Sequence, residues 1–209
     1  MKKLLALAAV AIFSVSALFA ENTFHVGTYF PITNLTVSDD DTDSETDFSS
    51  TGVGAFFDYT HVANGGFTFK IGTGIAYAST SDVKSYVNNE DLSGVDFDFF
   101  VGLGGSPIHN EKMTLSITGN TGLRVQNLSK TETFLGSEIT TDTLSILFFI
   151  GPEVSYTIRF NEHVGLFGNL GVLYNVGVAA FKEIDDDVRV GYAATGFNIQ
   201  PKIGVAFTL

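Results

Sequence analysis

From residue 21 onward the chain alternates apolar and polar residues with period two, and no window holds a helix-length apolar run or a sustained 3.6-residue period. Successive side chains of a strand point to opposite faces, so this pattern predicts sheet with two chemically different faces. Eight segments carry it, at 23–30, 51–61, 67–78, 95–104, 113–125, 144–158, 164–174 and 192–209. The connections between them alternate in length. Those at 32–50, 79–94, 126–143 and 175–191 are long and polar, whereas 62–66, 105–112 and 159–163 are short. In an up-and-down sheet consecutive connections fall on opposite rims, so the long ones share one rim and the short ones the other.

Alternation alone does not say which phase meets solvent; the composition of the polar phase does. In the third segment Phe67, Phe69, Ile71, Thr73, Ile75 and Tyr77 alternate with Thr68, Lys70, Gly72, Gly74 and Ala76. In the fifth, Met113, Leu115, Ile117, Gly119, Thr121, Leu123 and Val125 oppose Thr114, Ser116, Thr118, Asn120, Gly122 and Arg124. A soluble barrel turns its polar phase to water and fills it with Lys and Glu, yet here that phase is mostly small. Small polar groups fit the narrow lumen of an eight-stranded barrel, and large apolar groups on the other phase fit hydrocarbon. The predicted fold is therefore all-β, a closed antiparallel up-and-down transmembrane β-barrel of eight strands, with ten as the alternative count. Phe24, Phe30, Tyr59, Phe67, Tyr77, Tyr156, Tyr174 and Phe207, near segment ends, are expected at the interfacial belts.

The charges of the polar phase nearly balance: Asp58, Asp96, Asp98 and Glu153 against Lys70, Arg124 and Lys202. An unpaired charge in a confined lumen is costly, so these seven are expected to pair across the interior. They read as a stabilising polar plug, or else as a charged constriction on a small-solute or ion path. Leu147 and Phe149 share the phase of Glu153, Ser155 and Thr157, which suggests a β-bulge or a lipid-exposed extension there. Pro152 and Pro201 interrupt segments that a closed barrel should leave without edges.

Residues 1–20 form a separate unit. Lys2 and Lys3 precede an apolar run from Leu4 to Phe13 and a small-residue stretch ending at Ala20, the pattern of a secretory signal peptide. Cleavage after Ala20 leaves the barrel at 21–209; cleavage after Ala17 also fits. The run is shorter than the roughly 20 apolar residues a spanning helix needs. There is no Cys, hence neither a lipid-modified cysteine nor a disulfide. Without the leader, Lys plus Arg falls from 11 to nine against 23 Asp plus Glu, a net charge of −14 that speaks against nucleic acid as a partner.

The chain ends Lys202-Ile203-Gly204-Val205-Ala206-Phe207-Thr208-Leu209. This resembles the terminal assembly signal of bacterial outer-membrane proteins: a polar residue, Gly two on, an aromatic three further and a final apolar residue. The resemblance implies recognition by the barrel-assembly machinery, with Phe207 and Leu209 docking on its apolar side. With leader, eight alternating segments and this ending, the chain resembles the small outer-membrane barrels of the OmpA, OmpX and OmpW kind across 21–209. The Phe-rich, Trp-free composition and the Leu-Phe-Ala end of the leader are also similar to spirochaete outer-membrane proteins.

No catalytic constellation stands out. His25 lies near the start of the first segment, and His61, His109 and His163 fall at or beside the short turns, so a lipid hydrolase on the long-loop side lacks a base. The runs Asp39-Asp40-Asp41-Thr42-Asp43-Ser44-Glu45 and Asp185-Asp186-Asp187 miss the calcium-loop pattern, since Ser44 replaces its Gly and Ser50 its final Glu. They read as solvated acidic loops, and neither a metal nor a cofactor is expected. The function expected is that of a non-enzymatic outer-membrane barrel with a plugged polar lumen, for envelope structure and surface adhesion; the alternative is a narrow channel. Expected partners are outer-membrane lipid, the assembly machinery, and a host or surface ligand at the loops.

Overall fold

The computed structural model describes residues 21–39, 44–81, 83–84, 89–90, 92–134, 137–182 and 188–209, so residues 1–20 and parts of the long connections lie outside the described residues. Its strands are β1 (Glu21–Tyr29), β2 (Ile32–Asp39), β3 (Ser44–Val62), β4 (Phe67–Ser81), β5 (Val83–Lys84), β6 (Asn89–Glu90), β7 (Ser93–His109), β8 (Met113–Phe134), β9 (Ser137–Arg159), β10 (Val164–Lys182) and β11 (Val188–Thr208).

β1 and β2 are one strand interrupted at residues 30–31. Both pair with β3 on one side and β11 on the other, in a register unchanged across the break. The ring β1/β2, β3, β4, β7, β8, β9, β10, β11 is antiparallel throughout and closes with eight strands; β5 and β6 form a small hairpin between β4 and β7. The hydrogen-bonded rung that starts at Thr28 passes Ala55, Ile75, Phe97, Val125, Ile146, Val178 and Ala193 and returns to the first strand at Ser38. The barrel thus has a shear of ten residues, from Thr28 to Ser38, which tilts its strands.

Curvature requires close approach at some inward positions. A Cβ on Gly54 would overlap the Ile75 carbonyl oxygen and Ala76 Cα, and one on Gly27 the Ile203 oxygen, so only glycine lets neighbouring strands fold inward there.

Three features differ from the sequence expectation. Most of the residues expected in long polar loops are strand: β2 and the start of β3 fall within 32–50, and β8 reaches Phe134 while β9 begins at Ser137. In the 32–50 hairpin the polarity of the faces inverts, with Leu35, Val37 and Phe48 buried inside while Asn34 and Asp47 face out. Second, no bulge or extension occurs at Leu147 and Phe149. Inward-facing positions run without a phase change from Thr143 to Thr157, and both residues are buried in the interior. The register irregularities lie instead at Gly105/Ile108 and Ala179/Phe181. Third, Pro152 and Pro201 leave the barrel closed. Pro201 faces Leu170 and accepts from Phe30 N at 3.0 Å beside the break in the first strand.

Candidate functional site

Inward side chains fill the barrel in layers, and register with burial gives their order. At the long-hairpin rim lies an apolar cluster of Leu35, Val37, Phe48, Leu92, Leu128 and Leu147, with small residues from three further strands. Towards the short-turn rim follow the polar residues Thr33, Ser50, Gln126, Asn175 and Asn198, all buried. Next come the charged groups, interleaved with the aromatic rings of Tyr29, Phe56, Phe100, Phe149 and Phe167. A Ser/Thr layer closes the sequence, in which Ser106 lies 2.7 Å from the hydroxyls of both Thr68 and Ser116.

All seven lumen charges singled out in the sequence are at most 4% exposed, and they form two groups. In the first, Lys70 Nζ donates to Glu153 Oε1 at 2.5 Å and lies 3.2 Å from Asp58 Oδ2. Lys202 Nζ lies 3.5 Å from Glu153 Oε2, with its ammonium 4.3 Å from the centre of the Phe100 ring. In the second, the Arg124 guanidinium grips both oxygens of Asp96, its Nε donating at 2.8 and 2.9 Å. Asp98 is held by Gln200, whose Nε2 donates to Oδ2 at 3.1 Å.

Several of these bonds cross the lumen rather than link neighbouring strands. Lys70 on β4 and Glu153 on β9 are three strands apart, as are Ser50 on β3 and Gln126 on β8, whose Nε2 donates to the Ser50 hydroxyl at 3.1 Å. Gln200 on β11 and Asp98 on β7 are four strands apart, diametrically opposed in an eight-membered ring. Not every polar group has a partner: Tyr29 OH, Thr33 Oγ1, Arg124 Nη1 and the amides of Asn175 and Asn198 are buried without a hydrogen bond.

His25 is a lumen residue that the charge inventory missed, although it shares the inward phase of Thr23 and Tyr29, and that parity was the available signal. Its Nδ1–H donates to Asp58 Oδ1 at 2.6 Å, its Nε2 lies 3.4 Å from the Thr157 hydroxyl, and its ring stacks on Phe167 at 4.0 Å. Hydroxyl, imidazole and carboxylate thus follow one another, but the hydroxyl is beyond good hydrogen-bond reach and Lys70 occupies the other carboxylate oxygen. The other histidines sit at the short-turn rim, His61 Nδ1 beside Asn22 Oδ1 at 2.9 Å and His109 Nδ1 beside Thr114 at 3.2 Å. His163 Nδ1 lies 3.2 Å from the Thr208 carbonyl. Arg159 ties that rim together, donating to Glu21, to the Asn110 carbonyl and to Thr114.

Of the terminal motif, Lys202 points into the lumen, while Phe207 and Leu209 point outward and are exposed. Gly204 lies opposite Gly27, where the first and last strands close the ring. Asp39 ends β2; Asp40, Asp41, Asp43, Asp185, Asp186 and Asp187 lie outside the described residues.

A closed eight-stranded ring with an apolar exterior and a polar, charge-bearing interior defines the class: the fold is that of the small outer-membrane β-barrels. Among solved structures the chain is similar to the outer membrane protein OprG from Pseudomonas aeruginosa, at a TM-score of 0.63 and 10% identity over 91% of this chain and 96% of that one. It is also similar to the outer membrane protease OmpT from Escherichia coli (TM-score 0.47, 7% identity, 91% and 96% covered). A third is a major outer membrane protein from Thermus thermophilus (TM-score 0.47, 12% identity, 87% and 99% covered). At such identity the OprG likeness shows a shared fold and nothing of activity. No protein-family model and no curated protein sequence matches the chain.

Proposed function

We propose that this chain is a non-enzymatic barrel of a bacterial outer membrane, exported by its leader, with a closed polar lumen. It serves envelope structure and presents its acidic hairpin rim to surface ligands. The observation that carries the closed lumen is the set of bonds spanning it, Ser50 to Gln126, Asp98 to Gln200 and Lys70 to Glu153. With the apolar cluster above them, these place side chains across the bore at successive levels, and eight strands leave an interior that side chains can fill. Outer-membrane lipid is the partner of the outward face. The assembly machinery is the partner of the last strand, whose Phe207 and Leu209 are presented outward. A host or surface ligand is the partner of the hairpin tips.

Planar-bilayer recording on refolded protein tests this reading, for which the expected result is membrane insertion without discrete conductance steps. Reproducible steps would overturn the closed lumen and favour the second reading, a narrow solute channel. That reading draws on the unpartnered polar atoms of Thr33, Asn175 and Asn198, which suit a hydrated interior.

A further inference from the structure

The outward face is not equally apolar around the ring. On β3 the outward-facing apolar positions run only from Val53 to Tyr59, seven residues, with Thr51, Ser49 and Asp47 facing out beyond them. On β9 they run from Leu144 to Ile158 and on β10 from Val164 to Val178, fifteen residues each. The first strand, β4 and β8 have intermediate runs, Phe24 to Ile32, Phe67 to Tyr77 and Met113 to Val125, while β11, next to β10, carries a long run from Ala193 to Phe207 with Thr195 within it. β9 stands four strands from β3 in either direction, so the shortest and a longest run are diametrically opposed. At about 3.3 Å per residue and a tilt of about 40°, the apolar belt is about 15 Å tall at β3 and about 35 Å at β9, against about 25 Å for a typical barrel.

The two faces are concentric. The rung through Thr51 passes Ser79, Ser93 and Ser129 to Asp142 on β9. A shear of ten residues over eight strands means that this rung climbs five residues in four strands. The β9 position level with Thr51 is therefore near residue 147, where Ile146 and Phe148 face out at 47% and 49% exposure. At one height the barrel shows hydroxyl on one side and bulky hydrocarbon on the other. Tilting raises one face as it lowers the other and changes neither length, so no orientation fits both faces to a uniform slab. The polar flank of the short face is already satisfied within itself, with Ser49 donating to Asn34 at 2.9 Å and Thr36 to Asp47 at 3.0 Å. It requires no protein partner, only water or head groups.

We propose that the barrel shapes the bilayer around it, with lipid as the occupant of both faces: the membrane is thinned beside β1/β2 and β3 and thickened beside β9 and β10. Head groups and water descend to the level of Thr51, while acyl chains rise to Ile146 and above. The proposal rests on the membrane placement given above and adds its asymmetry. Because the chain has no Cys, single Cys variants at Thr51, at Ile146 and at Phe148 as a second tall-face site can carry an environment-sensitive fluorophore. A variant at Leu123 serves as a mid-belt control. In phosphatidylcholine vesicles the Ile146 and Phe148 labels are expected to be quenched by acyl-chain nitroxide lipid and not by aqueous iodide; the Thr51 label should show the reverse. Equal acyl-chain quenching at Thr51 and Ile146 would overturn the asymmetry while leaving membrane placement intact. Protection of the tall-face labels from both quenchers would overturn lipid as the occupant and indicate a second copy. Absence of acyl-chain quenching at Leu123 would overturn the membrane placement itself.

Discussion

Lys70 offers the sharpest test of what holds the lumen together. Its ammonium lies 2.5 Å from Glu153 and 3.2 Å from Asp58, and all three side chains are at most 2% exposed. Lys70→Met keeps the length and volume of the side chain but leaves two buried carboxylates with Lys202 and His25 as their remaining partners. Breaking a buried pair by removing one member costs about 3–5 kcal/mol, because the survivor stays desolvated without compensation. Glu153→Leu should cost a similar amount, since it leaves Lys70 and Lys202 sharing Asp58. The double variant restores balance, with Asp58 against Lys202, and replaces the pair by apolar groups. Such replacement is often close to neutral, so the double variant should lie within about 2 kcal/mol of the parent, and the two single losses should not add. Urea unfolding of refolded protein in detergent, followed by the mobility difference between boiled and unboiled samples, reads all four corners of the cycle. Single losses that add to within about 0.5 kcal/mol would refute the cross-lumen pair as a coupled unit.

Two further outcomes follow from other parts of the barrel. Gly54→Leu places a side chain where the Ile75 oxygen and Ala76 Cα already stand, and displacing backbone costs more than the usual overpacking of about 1–3 kcal/mol. The mobility-shifted folded band should be lost, whereas Gly168→Ala, with open space around it, should change stability by less than about 0.5 kcal/mol; equal behaviour of the two would refute the close-approach account. Phe207→Ala with deletion of Leu209 should lower the amount of barrel inserted in cells while leaving the refolding yield in detergent unchanged. A parallel loss in both would mean that the motif serves the folded barrel rather than its delivery.

Legibility in the sequence tracked how local each constraint is. The parity of Asp58, Lys70, Asp96, Asp98, Arg124, Glu153 and Lys202 is a property of each strand alone, so their common face was readable before any pairing was known. His25 obeyed the same parity but went uncounted among the lumen groups. The hairpins above the belt look like loops in the sequence because their polarity runs opposite to that of the membrane segment. Leu35, Val37 and Phe48 point inward while Asn34 and Asp47 face out, so the apolar phase of the membrane segment becomes the polar one and the stretch looks irregular and polar. Leu147 and Phe149 break the pattern differently: Ile146 and Phe148 beside them face out, so both phases of β9 are apolar there, and the inward pair packs into the interior, Leu147 in the upper cluster and Phe149 against Phe100 and Leu173.

Alternation, the short turns and the small polar phase thus determined from sequence that the chain is β, that it presents hydrocarbon outward, and in which order its strands run. Tertiary structure alone decided the shear of ten residues, the bonds that cross the bore and the placement of the shortest apolar run opposite a long one. Side-chain direction depends on the next residue, whereas each of these depends on where a strand three or four places away around the ring stands in register. Closure, which sets that register, is a property of all eight strands at once.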